Sequence, residues 1–381
     1  MEGGHNDHNH NHHNHHDHHL LEQWRDYLFY MLFTHVGDKY IQHISRNPNL
    51  TYRIVQQYPD KKWDYFWLGT HPNITWADIA SHPDKPWDYA NSVSNNPNLT
   101  WTDITSNPQH PWNYDLLCSN KNIPFHVLIH PQYKEKLKYE SSISSNPNIT
   151  WEDIANNQQQ HIRWNYSTLT YNPNITVDII HAHRDKPWDY RFLHLNQNMT
   201  LDVILRTRRD IEWNESMLTQ DKKITYEDIK KHSSALKWNY KLLTKNPNIT
   251  WADITDKDND DIYWDFFYIS KNANITWDIV CRHPERKWRY DILSGNTNIE
   301  LHCILNNNNT KHRPKQHRQQ HQNEWDYTAV CKNAFTRDRD TYIEIRMYYV
   351  HVVILGELTE WIYHPYNAHR MKEWGLIGDG W

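Results

Sequence analysis

The amino-terminal segment carries the densest set of candidate metal ligands in the sequence. Nine histidines lie between His5 and His19, interleaved with Asn and Asp. Neutral imidazole nitrogens bind Zn, Ni or Cu ions, and a tract of this kind predicts promiscuous sites without a fixed geometry. The metal candidates are His12, His13, His15, His16, His18 and His19. The competing interpretation is a disordered tail over 1–20, because so polar a composition cannot bury a core.

Five aspartates recur at a spacing that could be taken for a set of catalytic acids. They are Asp78, Asp103, Asp153, Asp228 and Asp253. Each follows a threonine by three residues, which is the spacing of a capping box at the start of a helix. Recurrence at a cap favours a structural role. The sequence also has no phosphate-binding loop, HExxH or GxSxG motif, so we expect no enzyme, no catalytic residue and no cofactor.

The charge balance argues against a general affinity for polyanions. Lys+Arg total 41 against Asp+Glu 46, and the formal net charge is -5, so no net basic field exists to hold nucleic acid or an anionic membrane. Scattered cysteines without CxxC spacing predict free thiols in a reduced compartment: Cys118, Cys281, Cys303 and Cys331. We find no apolar signal core and no apolar run long enough to cross a bilayer. The chain is expected to be neither secreted nor transmembrane.

A repeat of about 25 residues organises most of the chain. An apolar residue recurs at separations of 24 to 26 residues, at Leu50, Ile74, Leu99, Ile123, Ile149, Ile175, Met199, Ile224, Ile249, Ile275 and Ile299. Threonine follows it in nine of the eleven units, and Pro124 and Glu300 are the exceptions. Another apolar residue lies four positions beyond this cap, as a hydrophobic staple requires. Each unit therefore starts a helix at its threonine.

A second helix is predicted between successive threonine caps. Tryptophan marks its start in nine of ten units, and Leu137 replaces it in the fourth. Asn-Pro pairs such as Asn246-Pro247 end it, because the residue before proline avoids the α region. The predicted structural anchors of the repeat are Trp76, Trp87, Trp101, Trp112, Trp151, Trp164, Trp188, Trp213, Trp238, Trp251, Trp264, Trp277 and Trp288.

The predicted fold class is all-α: an α-solenoid of about eleven short two-helix repeats with a C-terminal capping helical segment. Such short helices are marginal alone, so neighbouring repeats must bury the recurring Trp and Ile side chains. The array is expected to form a rod or arc on the order of 90 Å long. The predicted boundaries are a tail over 1–20, the array over 21–305, a low-complexity insertion over 306–323, and a last partial repeat with the cap over 324–381.

The loops between the two helices of a unit differ from one unit to the next. They include 80–85, 105–110, 155–162, 205–211 and 255–262. Variable loops on one face of a solenoid often bind a partner, so we place recognition on these loops or on the groove that they flank. Unselected drift of solvent-exposed loops is the alternative explanation.

Two units, 85–104 and 237–254, resemble a large, mostly uncharacterised family of repeat proteins encoded by giant DNA viruses of the mimivirus type. The resemblance covers about 41–304, and 360–375 is similar to a closing segment seen in many giant-virus proteins. Pro124, Glu300 and Leu137 depart from the pattern, which affects local packing alone. The resemblance implies a viral origin and a place in host cytoplasm or in the virion. It implies no known activity and no site residues.

The expected function is that of a non-enzymatic repeat scaffold that mediates protein–protein interaction. The partner is an unidentified host or viral protein, and no membrane is involved. Two alternatives stay open: a nucleic-acid-binding solenoid that uses Arg206, Arg208 and Arg209, and a structural component of the virion. The net negative charge argues against the first of these.

Overall fold

A computed structural model describes residues 7–134, 136, 140–157, 162–256, 262–305 and 325–348. These residues form helices and turns with no strand among them, which confirms the predicted all-α class. The chain divides into two compact units, Val36–Ala334 and Met1–His35 with Phe335–Trp381. The insertion predicted over 306–323 and the closing segment 360–375 lie outside the described residues.

In nine of the eleven repeats with a described first helix, that helix starts after the predicted threonine, whereas Phe125–Leu128 follows Pro124 and Leu301–Leu305 follows Glu300. Thr75 Oγ1 accepts from the backbone N of Asp78 at 3.3 Å, and the Asp78 carboxylate accepts from the backbone N of Thr75 at 2.8 Å. The same reciprocal box forms in the repeats of Asp103, Asp153, Asp228 and Asp253, so the predicted capping role is confirmed. The first helices are Tyr52–Gln57, Trp76–Ala80, Trp101–Ser106, Phe125–Leu128, Trp151–Asn156, Val177–Ala182, Leu201–Thr207, Tyr226–Lys231, Trp251–Thr255, Trp277–Arg282 and Leu301–Leu305.

Most second helices have a side-chain N-cap that the sequence analysis did not predict. In the first full repeat, Asp64 is the N-cap and its carboxylate accepts from the backbone N of Phe66 at 3.1 Å. Trp63 therefore precedes the cap and Leu68 is the fourth helical residue, which is a second hydrophobic staple. The α-helical members are Ile41–Ile44, Tyr65–Gly69, Tyr114–Leu117, Tyr166–Leu169, Glu215–Leu218, Tyr240–Leu243, Phe266–Lys271, Tyr290–Leu293 and Tyr327–Lys332, and the 3-10 members are Val93–Asn95, Glu140–Ser145 and Tyr190–Leu195.

A polar residue follows each second helix, and in all of the described repeats but that of Asp221 its side chain binds the backbone of the preceding repeat. Asn96 Nδ2 donates to the carbonyl oxygens of Gly69 and Ile74, each at 2.9 Å, and Asn96 Oδ1 accepts from the backbone N of Asn98 at 2.8 Å. An amide suits this position because it carries both donors and an acceptor. We call the residues at this position the ladder residues: Asn47, His71, Asn96, Asn120, Asn146, Asn172, Asn196, Asp221, Asn246, Asn272, Asn296 and Asn333.

Two ladder residues are not asparagine, and each is compensated locally. His71 Nε2 lies 2.9 Å from the carbonyl oxygen of Asn47, and Nδ1 accepts from the backbone N of Asn73 at 3.1 Å, which requires a neutral ring. Asp221 has no N–H to donate. The Lys223 ammonium takes over, donating to two carbonyl oxygens of the preceding repeat at 2.8 and 3.0 Å. Each described repeat therefore has a side chain that donates a hydrogen bond to the backbone of the preceding repeat.

The first and last repeats are joined by the same kind of hydrogen bonds that join sequence neighbours. Asn47 in the first repeat donates to the carbonyl oxygens of Cys331 and Asn333 in the last repeat, at 2.8 and 3.1 Å. Asn49 donates to the carbonyl oxygen of Ala334 at 2.9 Å. These bonds repeat the pattern found between sequence neighbours. The unit Val36–Ala334 is therefore a closed ring of repeats.

Closure corrects the predicted rod or arc, and the all-α solenoid class stands. The array closes because the last partial repeat presents the carbonyl groups of Cys331 and Asn333 to Asn47, as Gly69 and His71 present theirs to Asn96. Its second helix, Tyr327–Lys332, begins at the N-cap Asp326. Twelve ladder residues lie among the described residues, whereas eleven repeats were predicted. The twelfth, Asn333, belongs to this last repeat, which the count of threonine positions does not include.

The other compact unit contains two described helices, Asp7–His35 and Thr336–Tyr348. They contact each other, and the rings of Tyr27 and Tyr342 stack with centroids 6.1 Å apart. The first helix corrects the tail predicted over 1–20, because the chain is already helical from residue 7. Apolar side chains of this helix are buried at Leu20, Trp24, Leu28 and Leu32. Once a turn is nucleated there, extension toward the amino terminus costs little.

Candidate interaction surface

The tryptophans of the second helices are structural. In the described residues Trp87, Trp112, Trp188, Trp213, Trp238 and Trp288 are buried, whereas Trp164 and Trp264 are half-buried. The indole N–H of most of them donates to a carbonyl near the end of the preceding first helix, as from Trp87 to His82 at 3.0 Å. The tryptophans with a buried ring and a paired N–H are therefore structural, whereas the N–H groups of Trp164 and Trp264 have no hydrogen-bond partner in the described part of the chain.

The tryptophans of the first helices are more exposed than predicted. Trp76, Trp101, Trp151, Trp251 and Trp277 are all half-buried, because each is the first residue of its helix. Each ring packs toward the following repeat: Trp76 and Trp112 have centroids 5.5 Å apart, and Trp251 and Trp288 are 5.6 Å apart. Where Leu137 replaces tryptophan, Tyr133 lies edge-on to Trp101 at 4.7 Å. These rings join repeats while keeping one side in solvent.

The basic run proposed for nucleic acid is already engaged by neighbouring groups. Arg206 Nη2 lies 3.0 Å from a carboxylate oxygen of Asp178. Arg208 donates to the carbonyl oxygen of Ala235. Arg209 remains exposed. The structure therefore leaves less free positive charge on this loop than the sequence alone suggests.

The histidine candidates are only partly described. His18 and His19 are exposed, and His19 Nε2 lies 3.0 Å from Gln23 Nε2. The side chains of His12, His13, His15 and His16 lie outside the described residues. Within the described part of the chain, no group of three His, Cys, Asp or Glu side chains is placed to hold a metal ion.

The cleft that follows loop 255–262 combines aromatic and basic side chains. It has a volume of about 420 Å³ and is lined by 263–267, 285–287 and Arg289. Tyr263 is 75% exposed and Phe267 is 38% exposed, so aromatic surface faces solvent. We call this the Tyr263 cleft. Its charged lining consists of three cations, Arg286, Lys287 and Arg289, and two carboxylates, Asp265 and Glu285.

A second cleft follows loop 205–211 and has the opposite charge balance. It has a volume of about 650 Å³ and is lined by 188–191, 212–216 and Lys237. Its charged lining contains three carboxylates, Asp189, Glu212 and Glu215, against Arg191 and Lys237. We call this the Trp188 cleft. Two clefts of similar construction therefore differ in the sign of their charge.

Arg289 departs from the rule that caps the second helices. The N-caps are Asp or Asn at Asp64, Asn113, Asn165, Asp189, Asn214, Asn239, Asp265 and Asp326, and each side chain accepts a backbone N–H. Arg289 makes no such bond. Its guanidinium instead pairs with both oxygens of Asp291, at 3.0 and 2.7 Å, and lies 5.5 Å from the Phe267 ring centroid. The hydrogen bond from Arg289 lowers the pKa of the Asp291 carboxyl.

Comparison with known proteins gives no relative. No family model, curated protein or solved structure matched the chain. The resemblance to giant-virus repeat proteins therefore stays a prediction. In the described residues, no helix combines the length and the apolarity that crossing a bilayer requires.

Proposed function

We propose that the chain is a non-enzymatic repeat scaffold that binds a host or viral protein through the edge formed by its variable loops. The proposal rests on the difference between the side chains that hold the repeats together and those that line the clefts. The ladder residues bind the preceding repeat and the second-helix tryptophans bind the end of the first helix of their own repeat, whereas the two clefts lie directly after variable loops. Placement in host cytoplasm or in the virion belongs to the same proposal.

The clefts have the dimensions and composition expected of recognition sites. Their volumes of about 420 and 650 Å³ fall in the range of roughly 300 to 1,000 Å³ typical of ligand pockets. Each contains tyrosine and arginine, which are enriched among the residues that dominate the binding energy of protein interfaces. Such a cleft can accommodate a short segment of a partner protein, whereas a flat protein surface could not enter it.

Nucleic-acid binding receives less support. Arg206 and Arg208 are engaged by Asp178 and by a backbone carbonyl, and the net charge of the chain is -5. A nucleic-acid binder would retain RNA or DNA in a strongly salt-dependent manner. We expect no such retention.

The experiment is affinity capture from infected-cell lysate with the full-length chain and two loop exchanges. Loops 155–162 and 255–262 have eight residues each, so one sequence replaces the other without a change of length. The wild-type chain should return one reproducible protein partner, and placing the 155–162 sequence at 255–262 should abolish its recovery. The reverse exchange should retain it. Recovery of no reproducible protein by the wild-type chain would contradict the proposal.

A further inference from the structure

We propose that the Tyr263 cleft binds a short acidic segment of a partner protein, in which Asp or Glu alternates with apolar side chains. This inference rests on the proposed function and specifies its site. Tyr263 and Phe267 would receive the apolar side chains, and Arg286, Lys287 and Arg289 would receive the carboxylates. Three observations support it: the capping exception at Arg289, the free donors of the cations, and the contrast with the Trp188 cleft.

The capping exception indicates that Arg289 is used for something other than folding. An Asp or Asn at this position would accept a backbone N–H and stabilise the helix Tyr290–Leu293, as it does in other repeats. Tyr40 and Ser92 also cap second helices without a side-chain bond, but Arg289 places a cation there, and departures from local rules are expected at functional sites. Arg289 is exposed and lines the cleft, so its side chain is available to a partner.

The cations retain donors for an incoming carboxylate. A guanidinium has five N–H donors, and the pair with Asp291 uses the Nε and Nη2 groups of Arg289. The pair also holds the guanidinium in place beside Phe267, which lowers the entropy lost on binding. Lys287 is exposed and makes no ion pair within the described residues. The Asp265 carboxylate is engaged as the N-cap of Phe266–Lys271 and accepts from Phe267 at 2.9 Å.

The charge pattern favours an acidic peptide over a nucleic-acid strand. A strand bound along the ring edge needs basic side chains over several repeats, because its phosphates recur at short intervals. The Trp188 cleft instead presents Glu212 and Glu215 with Asp189. Of these two clefts, the Tyr263 cleft has more cations than carboxylates and the Trp188 cleft has fewer, which matches a ligand only a few residues long.

The test is fluorescence anisotropy with the full-length chain and the fluorescein-labelled peptide Asp-Leu-Asp-Phe-Asp-Leu-Asp. The variant Arg289→Asn restores the common N-cap, so it should fold at least as well as wild type, which thermal unfolding checks. It should weaken peptide binding by about tenfold, since one charge-assisted contact is lost. Arg191→Asn is the matched control. Arg191 also pairs with an aspartate and lies near a phenylalanine ring, but it lines the Trp188 cleft, and its loss should leave binding unchanged.

Other ligands decide between explanations. The peptide with Lys in place of Asp should not bind, and a single-stranded oligonucleotide of thymidines should bind more weakly than the acidic peptide. Absence of saturable binding to wild type, equal binding by folded Arg289→Asn, or tighter binding of the oligonucleotide would overturn the assignment. If Arg289→Asn captured the same lysate partner as wild type, the cleft assignment would fail and the scaffold function would stand. If the peptide bound at the cleft and no partner was captured from lysate, the cleft assignment would stand and the scaffold function would fail.

Discussion

Asn47 Nδ2 lies 2.8 Å from the carbonyl oxygen of Cys331 and donates to it across 284 residues of sequence. The same amide donates to Asn333, and Asn49 donates to Ala334. The junction between the first and last repeats is therefore built like a junction between sequence neighbours. It differs in one respect, because no peptide linker connects the two repeats directly.

Replacing Asn47 should open this junction. Asn47→Ala leaves the carbonyl groups of Cys331 and Asn333 without their donor, which should cost about 1–3 kcal/mol of unfolding free energy. Local opening should also expose the Cys331 thiol, which is fully buried in the ring. Mass spectrometry after timed alkylation should show faster labelling of Cys331 than in wild type.

Asn172 provides the control for this experiment. It donates to the carbonyl oxygen of Asn146 at 3.0 Å, at a junction that the chain also crosses covalently. Asn172→Ala should lower stability to a similar extent and leave the alkylation rate of Cys331 unchanged. Equal acceleration by both variants would mean that Cys331 reports global unfolding, and no acceleration by Asn47→Ala would contradict closure.

Asp221 and Lys223 should behave as a coupled pair. Lys223→Ala removes the donor to two carbonyl groups of the preceding repeat and should destabilise the ring by about 1–3 kcal/mol. The double change Asp221→Asn with Lys223→Asn recreates the common Asn-x-Asn sequence and should recover most of the loss. Urea unfolding measures both. A double variant no more stable than Lys223→Ala would show that the ammonium does not replace the asparagine amide.

His71 should tolerate asparagine and not leucine. The imidazole donates through Nε2 and accepts through Nδ1, as an asparagine amide does with its two ends. His71→Asn should unfold within about 1 kcal/mol of wild type, and His71→Leu should lose about 2 kcal/mol because a buried carbonyl and a backbone N–H lose their partners. Similar stability of the two variants in thermal unfolding would remove the ladder role assigned to His71.

The local rules of the repeat could be predicted from the sequence, and closure could not. Thr75 with Asp78 is recognisable because both cap residues lie within four positions, and the same spacing recurs along the chain. The bond from Asn47 to Cys331 depends on the small rotation between successive repeats, summed over the whole array. Spacing in a sequence carries no information about that rotation.

The surface was predictable only in outline. Variable loops such as 255–262 indicated the recognition edge, but the Tyr263 cleft requires the relative placement of two consecutive second helices. One signal was available in the sequence: "KWRY" at 287–290 has arginine where "WDY" and "WNY" stand elsewhere. The conspicuous tryptophan precedes the N-cap, so the spacing of tryptophans alone does not indicate the capping role of the next residue or the exception at Arg289.

Alkaline pH should destabilise the ring through buried acids. Burial raises the pKa of the Cys118 and Cys331 thiols from 9.0 to about 12, and burial raises the pKa of the Tyr52 hydroxyl from 10.0 to about 12. A folded-state pKa above the unfolded value means that these groups contribute stability below pH 9, which is lost as the pH rises toward 12. Urea midpoints measured across this window should fall more steeply for wild type than for Cys118→Ala with Cys331→Ala. Equal slopes would contradict the burial of the two thiols.

The distance between the first and last repeats tests the closed ring most directly. Spin labels at Gln42 and Thr328, introduced as cysteines with Cys281 and Cys303 replaced by serine, lie on helices that contact each other in the ring. Pulsed electron paramagnetic resonance should give a distance between the two spin labels on the order of 20 Å. Contacting helices are about 8–10 Å apart, and the label side chains add to this distance. An open array of the same repeats would separate the labels by on the order of 90 Å. A distance distribution dominated by such long values would contradict the account.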